Sequence, residues 1–336
     1  MATRSPTSKS ASFGTFLKGK TVLITGGTGT FGHALIARLL KEKSVKKVIV
    51  LSRDELKQSQ LQHLYPNESR LRYFLGDVRD RDRLDRAFVG VDIVVHAAAL
   101  KQVPATEYNP FEAIKTNVVG TQNVIDAAIN QRVSKVLLVS SDKAVEPNNL
   151  YGATKMCAEK LCVAANAYGV GATALSVIRY GNVIGSRGSL VELIDKQRAS
   201  GTITLTDGRM TRFWININQV MDIVLECLDV MKGGEVFVPK MKSAPVREVM
   251  ELVAPECKIK IIGIRPGEKI HEMLITQYER ERAHELARMY VIHPEFGTYD
   301  TKWLSRAPIV PKDFSYGSGN KDFKLTVTEA KMLFAK

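Results

Sequence analysis

The chain has 336 residues, of which 45% are hydrophobic and 25% are charged, as in ordinary soluble globular proteins. This length suffices for one large domain or for a domain with a smaller lobe. No apolar run reaches the ~18–20 residues of a membrane-spanning helix, and residues 1–12 lack the apolar segment of a secretory signal. The four cysteines have no metal-ligand spacing. We therefore expect a cytoplasmic protein with reduced cysteines, no metal site and a flexible N-terminal tail over residues 1–18.

The net charge of +13 has two interpretations. A nucleic-acid-binding protein is one, and a protein that binds anionic nucleotides is the other. The basic residues are scattered rather than grouped in blocks, and a phosphate-binding motif follows the first predicted strand. We therefore favour nucleotide ligands and expect neither a nucleic acid partner nor insertion into a membrane.

The first predicted strand, residues 21–24, leads directly into a glycine-rich segment and then into an amphipathic helix. Three of its glycines are spaced three residues apart. Glycines allow a tight turn and the close approach of a pyrophosphate to the backbone, and the helix N-terminus faces the negative charge. The predicted dinucleotide-binding residues of this segment are Gly26, Thr28, Gly29, Thr30, Phe31 and Gly32.

The second predicted strand, residues 47–51, ends in Ser52 and Arg53. A protein specific for NAD usually has an acidic residue here, which binds the ribose hydroxyls. Nothing in Ser52 or Arg53 repels a 2′-phosphate, and Arg53 is able to pair with one. We therefore predict NADP as the cofactor. The alternative is that Arg53 is a solvated surface charge. The acidic residue next to it, Asp54, means that this alternative stays open.

Further strands are predicted at residues 71–75, 92–96 and 135–139, with a helix over residues 111–130. Repeated β-α-β units with short loops predict an α/β fold, with a Rossmann-like, doubly wound parallel sheet. Ligands of such sheets bind at the carboxyl ends of the strands. The cofactor-binding candidates from these ends and from the helix are Asp77, Val78, Ala97, Ala98, Ala99, Lys101 and Asn117.

The stretch after residue 139 combines several ionisable side chains. Asp142 and Lys143 follow the strand, and Tyr151 and Lys155 lie four residues apart, on one face of a helix. A neighbouring ammonium is expected to lower the pKa of the Tyr151 phenol from about 10, which would make it a proton acceptor. A Tyr-x-x-x-Lys pair alone also occurs by chance, but its position after a strand and downstream of a nucleotide motif favours function.

A predicted strand at residues 173–178 leads into a less regular region that is rich in arginine. Arginines after turns suit the diphosphate of a nucleotide substrate, although a surface salt bridge is the commoner role for any one of them. We expect a cofactor domain over residues 19–180 and a smaller substrate-binding lobe over residues 181–336, with some segments returning to the first domain. The predicted substrate-binding residues are Lys101, Tyr180, Asn182, Arg187, Thr204, Arg209, Met210, Arg265 and Glu268.

The motifs T-G-x-x-G-x-x-G, G-D-V-R-D, H-A-A-A, Y-x-x-x-K and R-Y-G-N-V-x-G-S-R-G together resemble an extended short-chain dehydrogenase/reductase. The stretches 141–155, 207–213 and 263–269 narrow the resemblance to the inverting UDP-N-acetylglucosamine 4,6-dehydratases of polysaccharide biosynthesis, which lead to pseudaminic acid and other deoxy-amino sugars. The resemblance covers residues 19–295. It implies a homo-oligomer, with a hexamer as one candidate.

Two features depart from the family pattern. Gln102 stands where members commonly have histidine, which leaves its role open. The residues after 314 look more like the longer, capsule-type relatives, and a loop-rich region over 293–320 is expected to precede a helix over 327–334.

The resemblance implies a role for each residue after the strand. NADP⁺ takes hydride from C4 of the sugar while Tyr151, beside Lys155, removes the O4 proton. Lys143 then takes the C5 proton, Asp142 protonates the departing C6 hydroxyl, and the hydride returns to C6, so that the net change is the loss of water. Ser141 binds the 4-oxygen. For this role the pKa of Lys143 must fall well below ~10.4, and we expect burial or Lys155 to lower it.

Two other functions compete with this interpretation. A UDP-sugar 4-epimerase needs the tyrosine but no acid–base pair for C5 and C6, so Asp142 and Lys143 argue against it. A non-catalytic NADP-binding or nucleic-acid-binding regulator is suggested by the net charge of +13. The Tyr151–Lys155 pair and the complete glycine loop argue against such a regulator. A steep salt dependence of DNA binding would be evidence for it.

Overall fold

The computed structural model describes residues 13–168, 173–186, 188–295, 299 and 302–334. Most of the predicted tail over residues 1–18, and the predicted substrate ligand Arg187, lie outside these ranges.

The strands and helices of the described chain alternate over its first half. The strands are β1 (Thr21–Thr25), β2 (Lys47–Ser52), β3 (Leu71–Leu75), β4 (Ile93–His96), β5 (Lys135–Ser141), β6 (Ala174–Tyr180), β7 (Asn182–Val183), β8 (Thr202–Leu205), β9 (Thr211–Ile215), β10 (Val236–Pro239), β11 (Lys242–Pro245), β12 (Lys258–Ile261), β13 (Met273–Ile275), β14 (Ala283–Glu285), β15 (Met289–Ile292) and β16 (Tyr316–Gly317). The α-helices are α1 (Gly14–Leu17), α2 (Thr30–Leu40), α3 (Glu55–Leu64), α4 (Arg81–Ala87), α5 (Val103–Tyr108), α6 (Pro110–Ile114), α7 (Gly120–Asn130), α8 (Leu150–Ala164), α9 (Leu190–Arg198), α10 (Ile217–Val230), α11 (Val246–Val253) and α12 (Val327–Phe334).

A nine-stranded sheet with the order β14-β15-β10-β6-β5-β4-β1-β2-β3 forms the centre of the molecule. Its seven strands from β10 to β3 are all parallel. Every residue of β1 and β4 is buried, as expected of parallel strands that helices cover on both faces. The predicted doubly wound parallel sheet is confirmed, and each predicted strand agrees with the structure to within two residues.

The far edge of this sheet was not predicted. Strand β15 pairs with β10 in antiparallel orientation, and β14 pairs with β15 in the same way. Their segments are only four and three residues long, so they give a weak pattern in the sequence. With β10, they bring chain from beyond residue 181 back to the central sheet.

The predicted helix over residues 111–130 is interrupted. A π-helical segment, Lys115–Val119, separates α6 from α7 and contains Asn117. Such π segments are frequent at functional sites. Here the segment carries the Asn117 side chain, which hydrogen-bonds the backbone of Leu100 and the hydroxyl of Thr154.

A second hydrophobic core lies under the smaller elements of the C-terminal half. It is formed by buried side chains from β8, β9, α9 and α11, together with Leu325 and Phe334 of the C-terminal segment. Trp214 and Phe334 pack edge to face, with ring centroids 5.2 Å apart. Within the described ranges, none of the helices combines the length and the apolar composition needed to cross a membrane.

The C-terminal segment is anchored by Tyr316, whose side chain is 1% exposed. Its hydroxyl accepts a hydrogen bond from the Met241 N–H at 2.5 Å, and the carbonyl oxygen of Met241 accepts its proton at 3.0 Å. Its ring lies 4.9 Å from that of Phe213, centroid to centroid. Tyr316 therefore belongs to the folded core.

We expect Tyr316→Phe to lower the free energy of unfolding by about 1–3 kcal/mol, because it leaves the buried N–H and carbonyl of Met241 unpaired. Urea denaturation measures this change. Tyr278→Phe is the matched control, because the Tyr278 side chain is 76% exposed, and we expect it to change stability by less than about 0.5 kcal/mol. Equal midpoints for the two variants would contradict the anchoring role.

Candidate active site

A cavity of about 860 Å³ lies at the carboxyl ends of the parallel strands. It has the size of a ligand pocket and the position expected in a doubly wound sheet. The sequence-predicted residues that line it are Gly26, Thr28, Gly29, Thr30, Phe31, Ser52, Arg53, Asp77, Val78, Ala97, Ala98, Ala99, Lys101, Ser141, Lys143, Tyr151, Lys155, Tyr180 and Asn182. The predicted residues within the described ranges that do not line it are Gly32, Asn117, Asp142, Thr204, Arg209, Met210, Arg265 and Glu268.

The glycine-rich loop after β1 is shaped for close backbone contact. Gly26 has a φ of +67°, and a Cβ there would lie 2.9 Å from the backbone of Ala98. A Cβ at Gly32 would lie 2.2 Å from the carbonyl oxygen of Gly27, so Gly32 packs the helix against the loop. Helix α2 begins after Gly29 with no acidic residue in its first turn. The N–H groups at the start of the helix and the positive end of the helix dipole therefore suit a pyrophosphate.

Basic side chains lie at the cavity end near β2. Arg53 and Lys57 both line it. The carboxylate of Asp54 caps α3 by accepting a hydrogen bond from the Lys57 N–H at 3.0 Å and pairs with the Lys57 ammonium at 2.5 Å. Asp54 is therefore engaged by its own helix. Asp77 is held by Arg79 at 2.7 Å and lies 3.6 Å from Arg53.

Asn117 is buried and all of its amide hydrogen bonds are internal. Its side chain exchanges two hydrogen bonds with the backbone of Leu100, at 2.8 and 2.9 Å, and donates a third to Thr154 at 3.0 Å. It thereby ties the loop that carries Lys101 to the helix that carries Tyr151 and Lys155. Direct contact of Asn117 with a cofactor stays a prediction.

The end of β5 carries a connected set of polar groups. The Asp142 side chain is fully buried, and its Oδ1 accepts hydrogen bonds from the Ser141 hydroxyl at 2.9 Å and from the Lys143 ammonium at 3.0 Å. Its Oδ2 is buried with no hydrogen-bond partner in the described part of the chain. A Cβ at Gly181, which lines the cavity, would lie 3.4 Å from this Oδ2. Asp142 therefore lies behind the cavity wall, with an unused acceptor.

The helix α8 positions Tyr151 and Lys155. Asn149 caps it by accepting a hydrogen bond from the Gly152 N–H at 2.8 Å, and a Cβ at Gly152 would lie 2.2 Å from the Lys143 carbonyl oxygen. The first turn of the helix thus packs directly on the segment with Asp142 and Lys143. Lys155 donates a hydrogen bond to the carbonyl of Val139 at 2.8 Å.

The pKa of Tyr151 corrects one expectation. Burial raises it, and this effect outweighs the charge of Lys143 and the hydrogen bond with Ser141, both of which lower it. The cation that acts on the phenol is therefore Lys143, whereas Lys155 was expected to do so. Burial lowers the pKa of Lys155 itself to about 8.

The pKa of Lys143 corrects a second expectation. Burial favours its neutral form, but the carboxylates of Asp142 and Glu272 outweigh burial, so the pKa is raised. The Nζ atom lies 3.7 Å from Oε1 of Glu272. The expected lowering by burial or by Lys155 was wrong, because two buried anions face this ammonium. Lys143 is thus protonated in the resting arrangement.

The loop with Arg265 and Glu268 packs against the segment that precedes Tyr151. Asn149 donates to the carbonyl of Gly267 at 2.8 Å, and Lys269 donates to the carbonyl of Val145 at 2.6 Å. Arg265 is exposed and Glu268 is half-buried. They lie beside the segment that precedes Tyr151, and their contact with a substrate stays a prediction.

The remaining substrate candidates lie in or near the second core. Met210 is 3% exposed and packs there, and Thr204 on β8 accepts a hydrogen bond from Gln197 at 3.1 Å. Arg209 is 76% exposed and pairs with Asp207 at 2.7 Å. The structure therefore brings Lys101, Tyr180 and Asn182 to the cavity and leaves these three outside its lining.

Sequence reasoning missed two buried groups. His96, at the end of β4, lies 2.7 Å from Thr25 and 3.0 Å from Thr121, and burial with the charge of Lys155 lowers its pKa to about 3. Glu272 follows the Arg265–Lys269 loop by three residues, but a lone acidic residue gave no signal that it would reach Lys143. Gln102, whose role was open, lines the cavity and packs against Gly188.

The sequence profile of the polysaccharide biosynthesis protein family matches residues 22–294. The chain belongs to this family. A relative from Campylobacter jejuni, named UDP-N-acetylglucosamine 4,6-dehydratase (inverting), is 46% identical over 90% of this chain and 93% of its own. The predicted resemblance is therefore confirmed.

Other family relatives carry different names. A protein from Rickettsia prowazekii, named UDP-glucose 4-epimerase, is 42% identical over 81% of this chain and 82% of its own. Among solved structures, Pen from Bacillus thuringiensis superimposes with a TM-score of 0.87 at 40% identity, over 95% of this chain and 97% of its own. The fold is thus shared along almost the whole chain.

Proposed function

We propose that this family member is a C5-inverting, NADP-dependent UDP-N-acetylglucosamine 4,6-dehydratase, a hydro-lyase. The observation that carries the proposal is the hydrogen-bonded set of Ser141, Asp142 and Lys143 at the end of β5, against the helix that presents Tyr151. An acid and a base beside a tyrosine are what removal of water across C5 and C6 requires. The name of the Campylobacter relative supports the same reaction.

The residues present fit a nicotinamide dinucleotide. The glycine loop and the start of α2 suit its pyrophosphate, and the small side chains of Ala97, Ala98 and Ala99 line the cavity beyond. Ser140 adds a buried hydroxyl without a partner in the described ranges. When bound, the nicotinamide supplies the hydride acceptor for C4 and the hydride donor for C6.

The chain's own residues then move the protons. The positive charge of Lys143 favours the phenolate form of Tyr151, which accepts the O4 proton and becomes a phenol. The 3.0 Å hydrogen bond between Lys143 and Asp142 lets one proton pass from the ammonium to the carboxylate. Neutral Lys143 then takes the C5 proton, and protonated Asp142 gives its proton to the departing C6 hydroxyl, which restores the ion pair.

The direct test is mass spectrometry of UDP-N-acetylglucosamine after incubation with the protein in deuterated water. We expect loss of one water molecule and one deuterium at C5, because the carbon is protonated again from a site in exchange with solvent. The coupling constants of the product in NMR report whether C5 is inverted. An unchanged mass with a new 4-epimer would contradict the proposal.

The second candidate is a UDP-sugar 4-epimerase, which the names of the Rickettsia relatives favour. The contacts of Asp142 and Lys143 argue against it, because an epimerase has no use for an acid–base pair at C5 and C6. The same mass measurement separates the two, since epimerisation conserves mass.

The choice of NADP rests on Arg53 and Lys57 at the cavity and on the engagement of Asp54 by α3. We expect Arg53→Ala to weaken NADP⁺ binding by roughly 10–100-fold, through loss of charge-assisted hydrogen bonds to the 2′-phosphate, and to leave NAD⁺ binding unchanged. Titration calorimetry on cofactor-free protein measures both affinities. Arg81→Ala, which removes an exposed arginine paired with Asp126, is the control. An equal loss for both cofactors would show that Arg53 does not read the phosphate.

The family resemblance also supports a homo-oligomer, with a hexamer as one candidate, that acts in the cytoplasm. Sedimentation velocity of the purified protein tests the assembly. The boundary near residue 180 between a cofactor domain and a substrate lobe stays a prediction.

A further inference from the structure

Glu272 is a buried carboxylate among three cations. Its side chain is 3% exposed. Oε1 lies 3.7 Å from Nζ of Lys143 and 3.7 Å from Nε of Arg212, and Oε2 lies 3.6 Å from Nζ of Lys269. Lys143 comes from the end of β5, Arg212 from β9 and Lys269 from the loop before β13, so this one carboxylate joins three separate parts of the chain.

The backbone of Glu272 is held in place by the C-terminal segment. Its N–H donates to the Ser318 hydroxyl at 2.9 Å, and the Ser318 N–H donates to its carbonyl at 2.7 Å. The Ser318 hydroxyl also lies 2.7 Å from that of Thr211. The backbone of Glu272 is therefore fixed by hydrogen bonds, so that its carboxylate faces Lys143 from a defined position, as a precisely arranged site requires.

A fixed carboxylate matters because Lys143 has a long, flexible side chain that is 27% exposed to the cavity. Asp142 holds the ammonium on one side and Glu272 on another. Arg212 and Lys269 are half-buried, and Glu272 is the carboxylate that they share. Without its charge, the repulsion between Arg212 and the ammonium of Lys143 would not be compensated. The negative charge of Glu272 thus offsets the repulsion from Arg212, which would otherwise displace the Lys143 ammonium from its contact with Asp142.

We propose that Glu272 is a positioning residue that holds Lys143 in line with the C5 hydrogen of the sugar and keeps its proton-sharing contact with Asp142. This rests on the proposed dehydratase function. The residue acts mainly on the elimination of water, because Lys143 exchanges a proton in that step and influences the oxidation at C4 only through its charge near Tyr151.

The test is Glu272→Gln, which keeps the volume and removes the charge. We expect oxidation at C4 to proceed and the elimination to slow by on the order of 10²-fold, the effect of a misplacement of about 1 Å. Reduced nicotinamide and the 4-ketone should then accumulate, as seen by absorbance in stopped flow and by quenched-flow mass spectrometry. Glu272→Asp keeps the charge but places it farther from Lys143, because the side chain is one methylene shorter. We therefore expect the most intermediate to accumulate in Glu272→Gln, less in Glu272→Asp and least in wild type.

Glu251→Gln is the matched control, since Glu251 is 56% exposed and pairs only loosely with Arg247, at 3.8 Å. We expect no accumulation in it. If Glu272→Gln does not fold, the comparison of Glu272→Asp with wild type decides the question. The inference would be overturned if no folded variant accumulated more intermediate than wild type, or if a variant slowed C4 oxidation and elimination by the same factor. Either result would leave the proposed dehydratase function unaffected. A wild-type protein that does not dehydrate the sugar would overturn both.

Discussion

Replacement of Tyr151 with phenylalanine is expected to lower the rate of C4 oxidation by about 10²–10⁴-fold, the usual contribution of a general base. The phenol of Tyr151 lines the cavity and can take the O4 proton, whereas the Ser141 hydroxyl is already donating to Asp142. Stopped-flow absorbance of the reduced nicotinamide measures this first step directly. Tyr108→Phe is the control, because the Tyr108 side chain is 87% exposed.

The pKa of Tyr151 fixes the direction of its pH dependence. Burial holds this pKa above the ordinary value, so the phenol is protonated near neutral pH. A base works in its deprotonated form, and the rate of the first step should therefore rise as the pH increases toward the raised pKa. Full oxidation activity in Tyr151→Phe, or a rate that falls with rising pH in this range, would contradict the role.

The central sheet and the glycine loop were accessible from the sequence because each depends on local pattern. Buried parallel strands read as continuous apolar runs, and the glycines have to be glycine for steric reasons, as the contact of Gly32 with Gly27 shows. Residues 71–75 and 327–334 agree with β3 and α12 to the residue. These elements owe their form to residues close by in the sequence.

The electrostatics of the site were not accessible in this way. The sequence places Lys155 four residues from Tyr151, and helix geometry then suggests that it acts on the phenol. In the structure Lys155 donates to Val139, and Lys143 is the cation that acts on Tyr151. Lys143 in turn owes its raised pKa partly to Glu272, which is 129 positions away in the chain. A charge–charge interaction depends on distance in the folded protein, which no local pattern encodes.

The same reason explains the uneven placement of the substrate candidates. Tyr180 is the last residue of β6 and Asn182 follows it, so both reach the cavity as residues at a strand end. Met210 and Thr204 were selected by resemblance and by their position in a less regular region. Met210 is buried in the second core, and Thr204 hydrogen-bonds Gln197 beside it. The rule that ligands bind at strand ends therefore locates site residues only where they belong to the central sheet.

Lys143→Ala should separate the two halves of the reaction. We expect C4 oxidation to continue, because Tyr151 remains, while formation of the dehydrated product falls by about 10²–10⁴-fold through loss of the base for C5. Reduced nicotinamide should accumulate, and C5 should take up no deuterium from deuterated water. Lys324→Ala, at an exposed lysine paired with Glu248, is the control.

The combination of these readouts identifies the base. The charge of Lys143 also lowers the pKa of Tyr151, so some slowing of the first step is expected in Lys143→Ala as well. If Lys143 is the base for C5, its replacement must nevertheless lower the rate of elimination by a larger factor than the rate of C4 oxidation. Deuterium uptake at C5 at the wild-type rate would show that another group removes the proton.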